Sequence, residues 1–340
     1  MQRLFVFISI CTSTAALAQP AAVPNNLHSL RAALTRTRNR FTSVTTDLVA
    51  VARHTEDYDR IFTEVPLPRM RERHGRFIAD RTTYRLDYGA IPPGPGELGV
   101  PSETLFWDGK RLLALEQSPL SNGMSGSLWW RPGAGTPLDY AYTHKGVWYS
   151  DVLARPGYRM AGVTADEDGR CLIIAEGPAE SGRTLRVAFA PDRGYMAVRA
   201  DLSAVPDREE SGSATWIVDE ARDVNGLWLP VRARMEKYLE IDGRSVLMSE
   251  LTMTLTSPQT GLDCTKLLQP PSIPAGTMVT DRDARAIYEA TPTGSLRYLG
   301  PQGSPAGPMT AMQHPGPWLG VALLGTAAVS TVALRRKTDR

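Results

Sequence analysis

The residue types that carry out catalysis or bind metals are sparse in this chain, and their spacing fits neither role. Before the C-terminal stretch the histidines are His28, His54, His74 and His144. No two of them stand at metal-ligand spacing or beside a cysteine pair. The segment Gly123–Gly126 holds a serine between glycines, but its last glycine comes one place too early for a nucleophile elbow. We therefore expect no enzyme activity, no metal and no cofactor.

Paired carboxylates are the remaining arrangement that would suit acid-base chemistry. Asp166 and Asp168, and the adjacent Glu209 and Glu210, fall in turn-rich segments. A general acid and a general base need environments that push their two pKa values apart, which solvated turns do not supply. We interpret these carboxylates as exposed loop residues.

Cys171 and Cys264 are the two cysteines that follow the N-terminal apolar segment. In an oxidising compartment a disulfide between them would close a loop of about 90 residues and stabilise the fold by on the order of 4 kcal/mol in the chain-entropy model. Cys171 also begins the apolar run Cys-Leu-Ile-Ile, which is typical of a small buried side chain. A disulfide and two free thiols are both open.

Four tryptophans are the candidates for ligand binding. Trp107 lies in an early hairpin, whereas Trp129, Trp130 and Trp148 belong to an aromatic-rich insertion, residues 118–157. Long insertions of this kind often serve as lids, and apolar pockets are the usual sites for small molecules. We predict that the four side chains line an apolar cavity. The alternative is that they fill the core.

The elements that must position these residues are mostly strands. Between Phe41 and Thr256 apolar and polar residues alternate with a period of two, which is typical of strands with one buried face. Four residue pairs that favour hairpin turns separate the alternating runs, namely Asp108-Gly109, Asp168-Gly169, Asn225-Gly226 and Asp242-Gly243. A helix is predicted over Asn26–Arg40, and short helices around residues 138–142 and 147–153. The predicted fold class is mainly β (α+β), with an antiparallel meander.

Apolar segments at both ends of the chain predict export and anchoring. Residues 1–18 combine Arg3, an apolar stretch and an A-x-A site ending at Ala18, which predicts a cleaved signal peptide; the alternative is an uncleaved anchor. Residues 317–335 are predicted to form a transmembrane helix, with Trp318 at one interface and residues 336–340 as a basic cytoplasmic tail. A buried helix and a removable sorting tag are the alternatives for this segment.

The region between the two ends is predicted to be a single exported body. Residues 19–290 have the length of one all-β domain. Residues 291–316 are rich in proline and glycine, which predicts a tether. The body is therefore expected in the periplasm, anchored to the inner membrane by the C-terminal helix.

The formal net charge of +2 arises at the ends of the chain. Without the five basic residues and the one acidic residue of the two terminal segments, the body has 33 basic and 35 acidic residues. Domains that bind nucleic acid normally carry a basic surface. We therefore expect no nucleic-acid partner.

Four short motifs at turns and strand starts carry a resemblance to a known family: Phe106-Trp107-Asp108-Gly109, Asp192-Arg193-Gly194-Tyr195, Asn225–Pro230 and Pro274–Asp281. With one helix ahead of a long meander, the region Asn26–Asp281 resembles the bacterial lipoprotein-carrier and outer-membrane lipoprotein-sorting (LolA-like) superfamily, in a less characterised exported branch. The resemblance implies a half-open β-barrel with helical cover. The carriers themselves are soluble, whereas this chain is predicted to be anchored.

Two functions from different classes remain. The first is a membrane-tethered, non-enzymatic envelope protein whose LolA-like domain binds a lipid, an acyl chain or a lipoprotein. The second is an envelope protein–protein interaction or sensor domain with a filled core and no ligand. An aromatic-lined cavity under the insertion would favour the first, and a filled core the second.

Overall fold

The computed structural model describes residues 24–62, 70–92, 99–118, 123–129, 135–205, 212–241 and 243–302. The predicted signal peptide, transmembrane helix and basic tail lie outside these ranges, as does Trp130. Within the ranges, no helix combines the length and the apolar character that crossing a bilayer requires.

The described residues form a few short helices and a long series of strands. The α-helices are α1 (Leu27–Arg40), α2 (Glu56–Phe62) and α3 (Tyr149–Val152), and the 3-10 helices are Pro137–Tyr140, Glu180–Gly182 and Pro191–Arg193. The strands are β1 (Ser43–His54), β2 (Met70–Asp80), β3 (Tyr84–Tyr88), β4 (Ser102–Trp107), β5 (Leu112–Gln117), β6 (Met124–Trp129), β7 (Thr143–His144), β8 (Val147–Trp148), β9 (Arg159–Ala165), β10 (Cys171–Pro178), β11 (Thr184–Ala190), β12 (Met196–Leu202), β13 (Gly212–Val224), β14 (Leu227–Ile241), β15 (Arg244–Thr260), β16 (Met278–Asp281), β17 (Ala286–Ala290) and β18 (Leu296–Pro301).

Helix α1 begins and ends where the sequence predicted. The Asn26 side chain caps it, since its Oδ1 accepts the Ser29 N–H at 2.9 Å. Leu30, Ala33 and Leu34 are buried along one stripe, so helical spacing produces the apolar face that packs on the sheet.

Sixteen strands form one open sheet in the order β18-β17-β16-β6-β5-β4-β3-β2-β1-β15-β14-β13-β12-β11-β10-β9. Consecutive strands pair antiparallel from β1 to β6 and from β9 to β15, which confirms the predicted meander. Strands β1 and β15 join these two runs in an antiparallel pair, and β16 joins β6 in a parallel pair. Strands β18 and β9 are the two edges, so the sheet is not closed into a barrel. Three of the predicted turn pairs, Asp108-Gly109, Asp168-Gly169 and Asn225-Gly226, each join two consecutive strands. Of the fourth pair, Asp242 lies outside the described residues.

The two faces of the sheet pack against different partners. On β5, Leu112 and Ala114 point into a large apolar cluster, which we call the main core, on what we call the inner face. The alternate residues Leu113 and Leu115 point the other way into a smaller cluster, the outer core, together with Val279. This alternation follows from the period of two, and it gives the sheet an inner face and an outer face with separate environments.

The inner face is covered by α1 and by residues 135–158, which we call the cover. Tyr140, Tyr142, Trp148 and Tyr149 of the cover are all at most 8% exposed and belong to the main core. Fully burying an apolar side chain stabilises a fold by about 1.5–3 kcal/mol. The aromatic residues of the insertion therefore hold the cover on the sheet, and the two short helices predicted there are present as a 3-10 helix and α3.

The folded region extends further than predicted, because β18 lies inside the range 291–316 that was expected to be a tether. Strands β17 and β18 form a hairpin in which the Tyr288 and Tyr298 rings meet edge to face, with centroids 5.7 Å apart. The Thr291 N–H donates to the Ser295 carbonyl at 2.8 Å, and Gly294 adopts a φ of +80° between them. The proline and glycine at the start of this range belong to a hairpin turn.

Cys171 and Cys264 are both free thiols, so the disulfide that the sequence left open is absent. Cys171 is exposed at the start of β10, whereas Cys264 is buried against Ile78, with its Sγ 3.3 Å from Thr45 Oγ1. Five strands separate β1 from β10 in the sheet. A disulfide needs Cα atoms less than about 7 Å apart, which this separation prevents.

Candidate functional site

The candidate site is the interface between the inner face and the cover. Side-chain packing dominates it, since the cover adds no strand to the sheet. Three hydrogen bonds join the cover to the sheet: from Trp148 Nε1 to the Arg81 carbonyl (3.0 Å), from the Tyr142 hydroxyl to the Trp228 carbonyl, and from the Ala197 N–H to the Ala141 carbonyl (2.9 Å). Helix α1 adds a bond from Thr37 Oγ1 to the Gly194 carbonyl (2.7 Å).

The predicted tryptophans lie in or beside the main core. Trp129 and Trp148 are 5% and 8% exposed, and Trp107 is half-buried against the same cluster. The Trp148 ring meets Phe41 edge to face, with centroids 5.4 Å apart. The side chains of Trp129 and Trp148 are buried in the main core, so a ligand would reach them only if the core opened. Their role in ligand binding stays a prediction, and Trp130 lies outside the described residues.

A row of polar side chains crosses one end of the inner face, where sequence reasoning placed no site. We call it the polar band. Each of its residues occupies an inward-facing position of its strand, and on neighbouring strands these positions are paired or one inward-facing position apart. The polar band consists of His54, Arg71, Arg73, Tyr88, Glu103, Glu116, Lys237 and Ser249. Acidic groups lie on β4 and β5, and basic groups on β2 and β14.

The end of the polar band that holds its two glutamates contains a buried ion pair. Arg73 Nη1 donates to Glu103 Oε2 at 2.9 Å, and the two side chains are 1% and 8% exposed. Arg73 Nη2 donates to the Pro101 carbonyl at 2.9 Å. Burial raises the pKa of Glu103 despite Arg73, and burial with the nearby Glu103 charge raises the pKa of Glu116. Removing either partner would leave the other charge buried without an opposite charge, which is strongly destabilising.

Gly75 makes room for this arrangement. The Arg73 guanidinium lies 4.4 Å from the centre of the Tyr88 ring, in a cation–π contact. A Cβ at position 75 would come within 2.6 Å of the Asp87 carbonyl oxygen and 2.8 Å of Tyr88 Cδ1. Only glycine lets the Tyr88 ring lie across β2 in this way.

Lys237 marks the basic half of the polar band. It stands opposite Ser249, which stands opposite His54 on the next strand. Beyond these residues an apolar cluster of Tyr58, Leu239 and Met248 closes the end of the inner face. Part of the Lys237 surface reaches solvent, yet burial lowers its pKa to about 8. Burial and the nearby Arg71 charge lower the pKa of His54, so its imidazole is neutral at pH 7.

The hydroxyl of Tyr140, in the cover, and Nδ1 of His54, in the polar band, are buried without a hydrogen-bond partner among the described residues. Burial, with the nearby Tyr88 and Asp139, raises the pKa of Tyr140, so the hydroxyl keeps its proton. Leaving a buried donor or acceptor unsatisfied costs about 1–3 kcal/mol. The cover therefore closes on the sheet with the Tyr140 hydroxyl unsatisfied.

The described residues contain no cluster of three or more His, Cys, Asp or Glu side chains that would hold a metal ion. The chemistry that the site offers is binding: an aromatic and aliphatic interface with charged groups along one end.

One sequence signal could have indicated the polar band. Phe77 and Ala79 are apolar inward-facing residues of β2. The same period of two places Gly75 and Arg73 on this face, so an arginine stands in a row of residues that is otherwise apolar.

Comparison with known proteins gives structural neighbours. No protein-family model matches the chain, and no curated protein matches it in sequence. The chain is similar to the crystal structure of a DUF1329 family protein from Desulfovibrio piger, with 11% identity and a TM-score of 0.46 over 72% of this chain and 99% of that one. A LolA superfamily protein from Nitrosomonas europaea shows 9% identity and a TM-score of 0.43 over 73% of this chain and 99% of that one.

A third neighbour is an outer membrane lipoprotein-sorting protein domain from Vibrio parahaemolyticus, with 9% identity and a TM-score of 0.42 over 71% of this chain and 97% of that one. The structural neighbours of the chain are DUF1329 and LolA-superfamily or lipoprotein-sorting proteins.

Proposed function

We propose that this protein is a non-enzymatic binding protein of the cell envelope that holds the acyl chain of a lipid or lipoprotein between the inner face and the cover. The observation that carries the proposal is the interface itself, which joins an apolar sheet face to a separate aromatic element and leaves the Tyr140 hydroxyl of that element unsatisfied within the described region. In this proposal the acyl chain replaces side chains of the cover, and the open sheet acts as a half-open barrel.

The polar band suits the other end of such a ligand. An amphipathic molecule needs a charged or polar position directly beside an apolar surface. Lys237 lies between the main core and the apolar cluster that closes the inner face. A fatty acid carboxylate beside Lys237 would favour the charged amine that burial disfavours, so the two groups would stabilise each other.

Replacing Lys237 with methionine is expected to weaken binding of a fluorescent fatty acid at least tenfold, or about 1.4 kcal/mol, and to leave the matching fatty alcohol unchanged. The reason is that methionine keeps the apolar volume and removes only the charge. Fluorescence titration of the purified full-length protein measures both affinities. Lys266→Met, at an exposed position, is the matched control.

An equal loss of affinity for the fatty acid and the fatty alcohol in Lys237→Met would contradict a head-group role for Lys237. Wild-type protein that binds neither probe, and that releases no acyl-containing lipid to mass spectrometry after organic extraction, would contradict the proposed function as a whole.

A second candidate is an envelope protein–protein interaction or sensor domain without a ligand. The observation that favours it is that Trp129 and Trp148 are already packed in the main core. In that case acyl probes would leave tryptophan fluorescence unchanged, and crosslinking in cells would recover one specific partner through the outer surface of the domain.

We also propose that the domain lies in the periplasm, tethered to the inner membrane by residues 317–335. Sequence features support this topology: a signal-like start and a basic cluster after the C-terminal apolar segment. Protease added to spheroplasts should then digest the β domain and leave a short membrane-bound fragment. A protected β domain would contradict the topology.

A further inference from the structure

A cavity of about 500 Å³ lies on the outer face of the sheet, away from the cover and the polar band. Strands β3 to β6 form its floor, and residues 269–272 form its roof. Its volume is within the range of about 300–1,000 Å³ that is typical of small-molecule sites. Its lining is mainly polar, including Ser102, Gln117 and Ser272, with Leu115 and Met124 on the apolar side.

The roof belongs to the segment 262–277, which we call the strap, and which leads from β15 to β16. Leu268 fixes the strap on one side by packing against Ile78, and Ile273 fixes it on the other by packing against the outer core. Between these contacts stand Pro270 and Pro271, whose rings hold φ near −65°. The cavity therefore has a roof that is anchored at both ends and stiff in the middle.

Arg85 is held in this cavity by one edge of its guanidinium. Its Nε donates to Asp87 Oδ2 at 2.7 Å, while Asp87 Oδ1 accepts the Thr104 hydroxyl at 2.7 Å. Within the described part of the chain the two terminal nitrogens of Arg85 make no hydrogen bond. The side chain is thus oriented by Asp87 and retains the pair of donors that binds a carboxylate in two-point fashion.

The same triad occurs at a second place in the sheet, outside the lining of the roofed cavity. Arg199 Nε donates to Asp201 Oδ2 at 2.9 Å, and the Thr215 hydroxyl donates to Asp201 Oδ1 at 2.9 Å. None of these three residues lines the roofed cavity. The roof is therefore what distinguishes Arg85, and Arg199 provides an internal control.

We propose that the roofed cavity binds a small organic monocarboxylate, with its carboxylate on the terminal nitrogens of Arg85 and its polar body against Gln117 and Ser102. A single negative charge fits because Asp87 already balances part of the Arg85 charge, and a dianion such as phosphate would meet that carboxylate. Gln269 donates its amide nitrogen to the Thr265 carbonyl at 2.9 Å, which leaves its amide oxygen to accept from the ligand. This site is independent of acyl-chain binding at the inner face.

Equilibrium dialysis of the full-length protein tests the proposal with radiolabelled probes, from acetate to N-acetyl dipeptides, each paired with its carboxamide. We expect at least one carboxylate to bind at least tenfold more tightly than its carboxamide and than inorganic phosphate. Arg85→Gln should lose at least tenfold of that affinity, and Arg199→Gln should retain it. Both variants remove a partly exposed ion pair, so their thermal unfolding midpoints should be similar.

Absence of binding across the series, equal binding of acids and amides, or equal losses in the two variants would each overturn the assignment. Preference for phosphate over every carboxylate would overturn it as well. The fatty acid titrations of Lys237→Met are read at the other face, so failure of one site leaves the other result standing.

Discussion

Replacing Arg73 with methionine is expected to lower the free energy of unfolding by about 3–5 kcal/mol at pH 7, the usual cost of breaking a buried ion pair by removing one partner. The variant leaves the Glu103 carboxylate at a position where its side chain is 8% exposed, with Glu116 opposite it on the next strand. It also removes the cation–π contact with Tyr88. Urea unfolding followed by tryptophan fluorescence measures the change.

The difference in the free energy of unfolding between wild type and Arg73→Met, which we call the deficit, should depend on pH. Burial raises the pKa of Glu103 and Arg73 lowers it, so removing Arg73 raises the pKa further in the folded state. The folded variant then holds the Glu103 proton to higher pH than the unfolded chain does, and its free energy of unfolding falls as the pH rises. We expect the deficit to be smallest near about pH 4 and to grow toward pH 7.

The double variant Arg73→Met/Glu103→Met is the control. Replacing both members of a buried pair by apolar residues of similar size is often neutral or stabilising. It should therefore recover most of the loss and remove the additional pH dependence. A single variant within about 1 kcal/mol of wild type at pH 7 would contradict the view that Glu103 is charged and dependent on Arg73.

The parts of the fold that follow from local chemistry were predictable. Asp108 accepts the N–H groups of Lys110 and Arg111 at 2.7 and 2.6 Å, so the turn is specified by the residues that form it. The same holds for the Asn26 cap of α1. Alternation with a period of two then indicated the strands between the turns, as on β3, which spans Tyr84–Tyr88.

The polar band was not predictable in the same way, because its partners are distant in sequence. Arg73 and Glu103 are brought together only by the pairing of β2 with β3 and of β3 with β4. Until that register is known, Arg73 looks like one more charged residue of an alternating strand. Composition was also ambiguous near residue 292, since proline and glycine are common both in linkers and in hairpin turns.

The tryptophans raise the same ambiguity at the level of function. An aromatic insertion binds a ligand or completes a core, and both roles require the same residue types. The arrangement of the cover adds the missing information: packing holds it on the sheet, and internal hydrogen bonds hold its own shape. Its connection to function therefore depends on how firmly that shape is maintained, and Asp139 is the residue that maintains it.

Asp139 is buried and accepts hydrogen bonds through both carboxylate oxygens. Oδ1 accepts the Thr143 hydroxyl and the Gly146 N–H, both at 2.7 Å, and Oδ2 accepts the N–H and the hydroxyl of Thr136, both at 3.0 Å. These bonds tie the start of the cover to the turn between β7 and β8. Burial raises the pKa of Asp139, and the four hydrogen bonds act in the opposite direction.

Asp139→Ala is expected to lower the free energy of unfolding by at least about 3 kcal/mol, because it removes four hydrogen bonds to the carboxylate and leaves their donors buried. Thr143→Val, which removes one donor and keeps the carboxylate in place, should lose only about 1.5 kcal/mol, the lower end of the range for one hydrogen bond to a charged group. Near-UV circular dichroism should change more in Asp139→Ala than in Thr143→Val, since Tyr140, Tyr142 and Trp148 lie in the segment that Asp139 organises. Unchanged stability in Asp139→Ala would contradict this role.

The same variant separates the two candidate functions. If the cover closes an acyl-chain site, loosening it should expose the inner face, and Asp139→Ala should bind a fluorescent fatty acid faster than wild type under conditions where both proteins are folded. If the core is permanently filled, Asp139→Ala should be less stable than wild type and should still not bind the fluorescent fatty acid. Stopped-flow mixing with the probe measures the association rate, and Thr143→Val should fall between wild type and Asp139→Ala, because the rate is then set by how often the cover leaves the sheet. A rate that is the same in all three proteins would show that the cover does not control access.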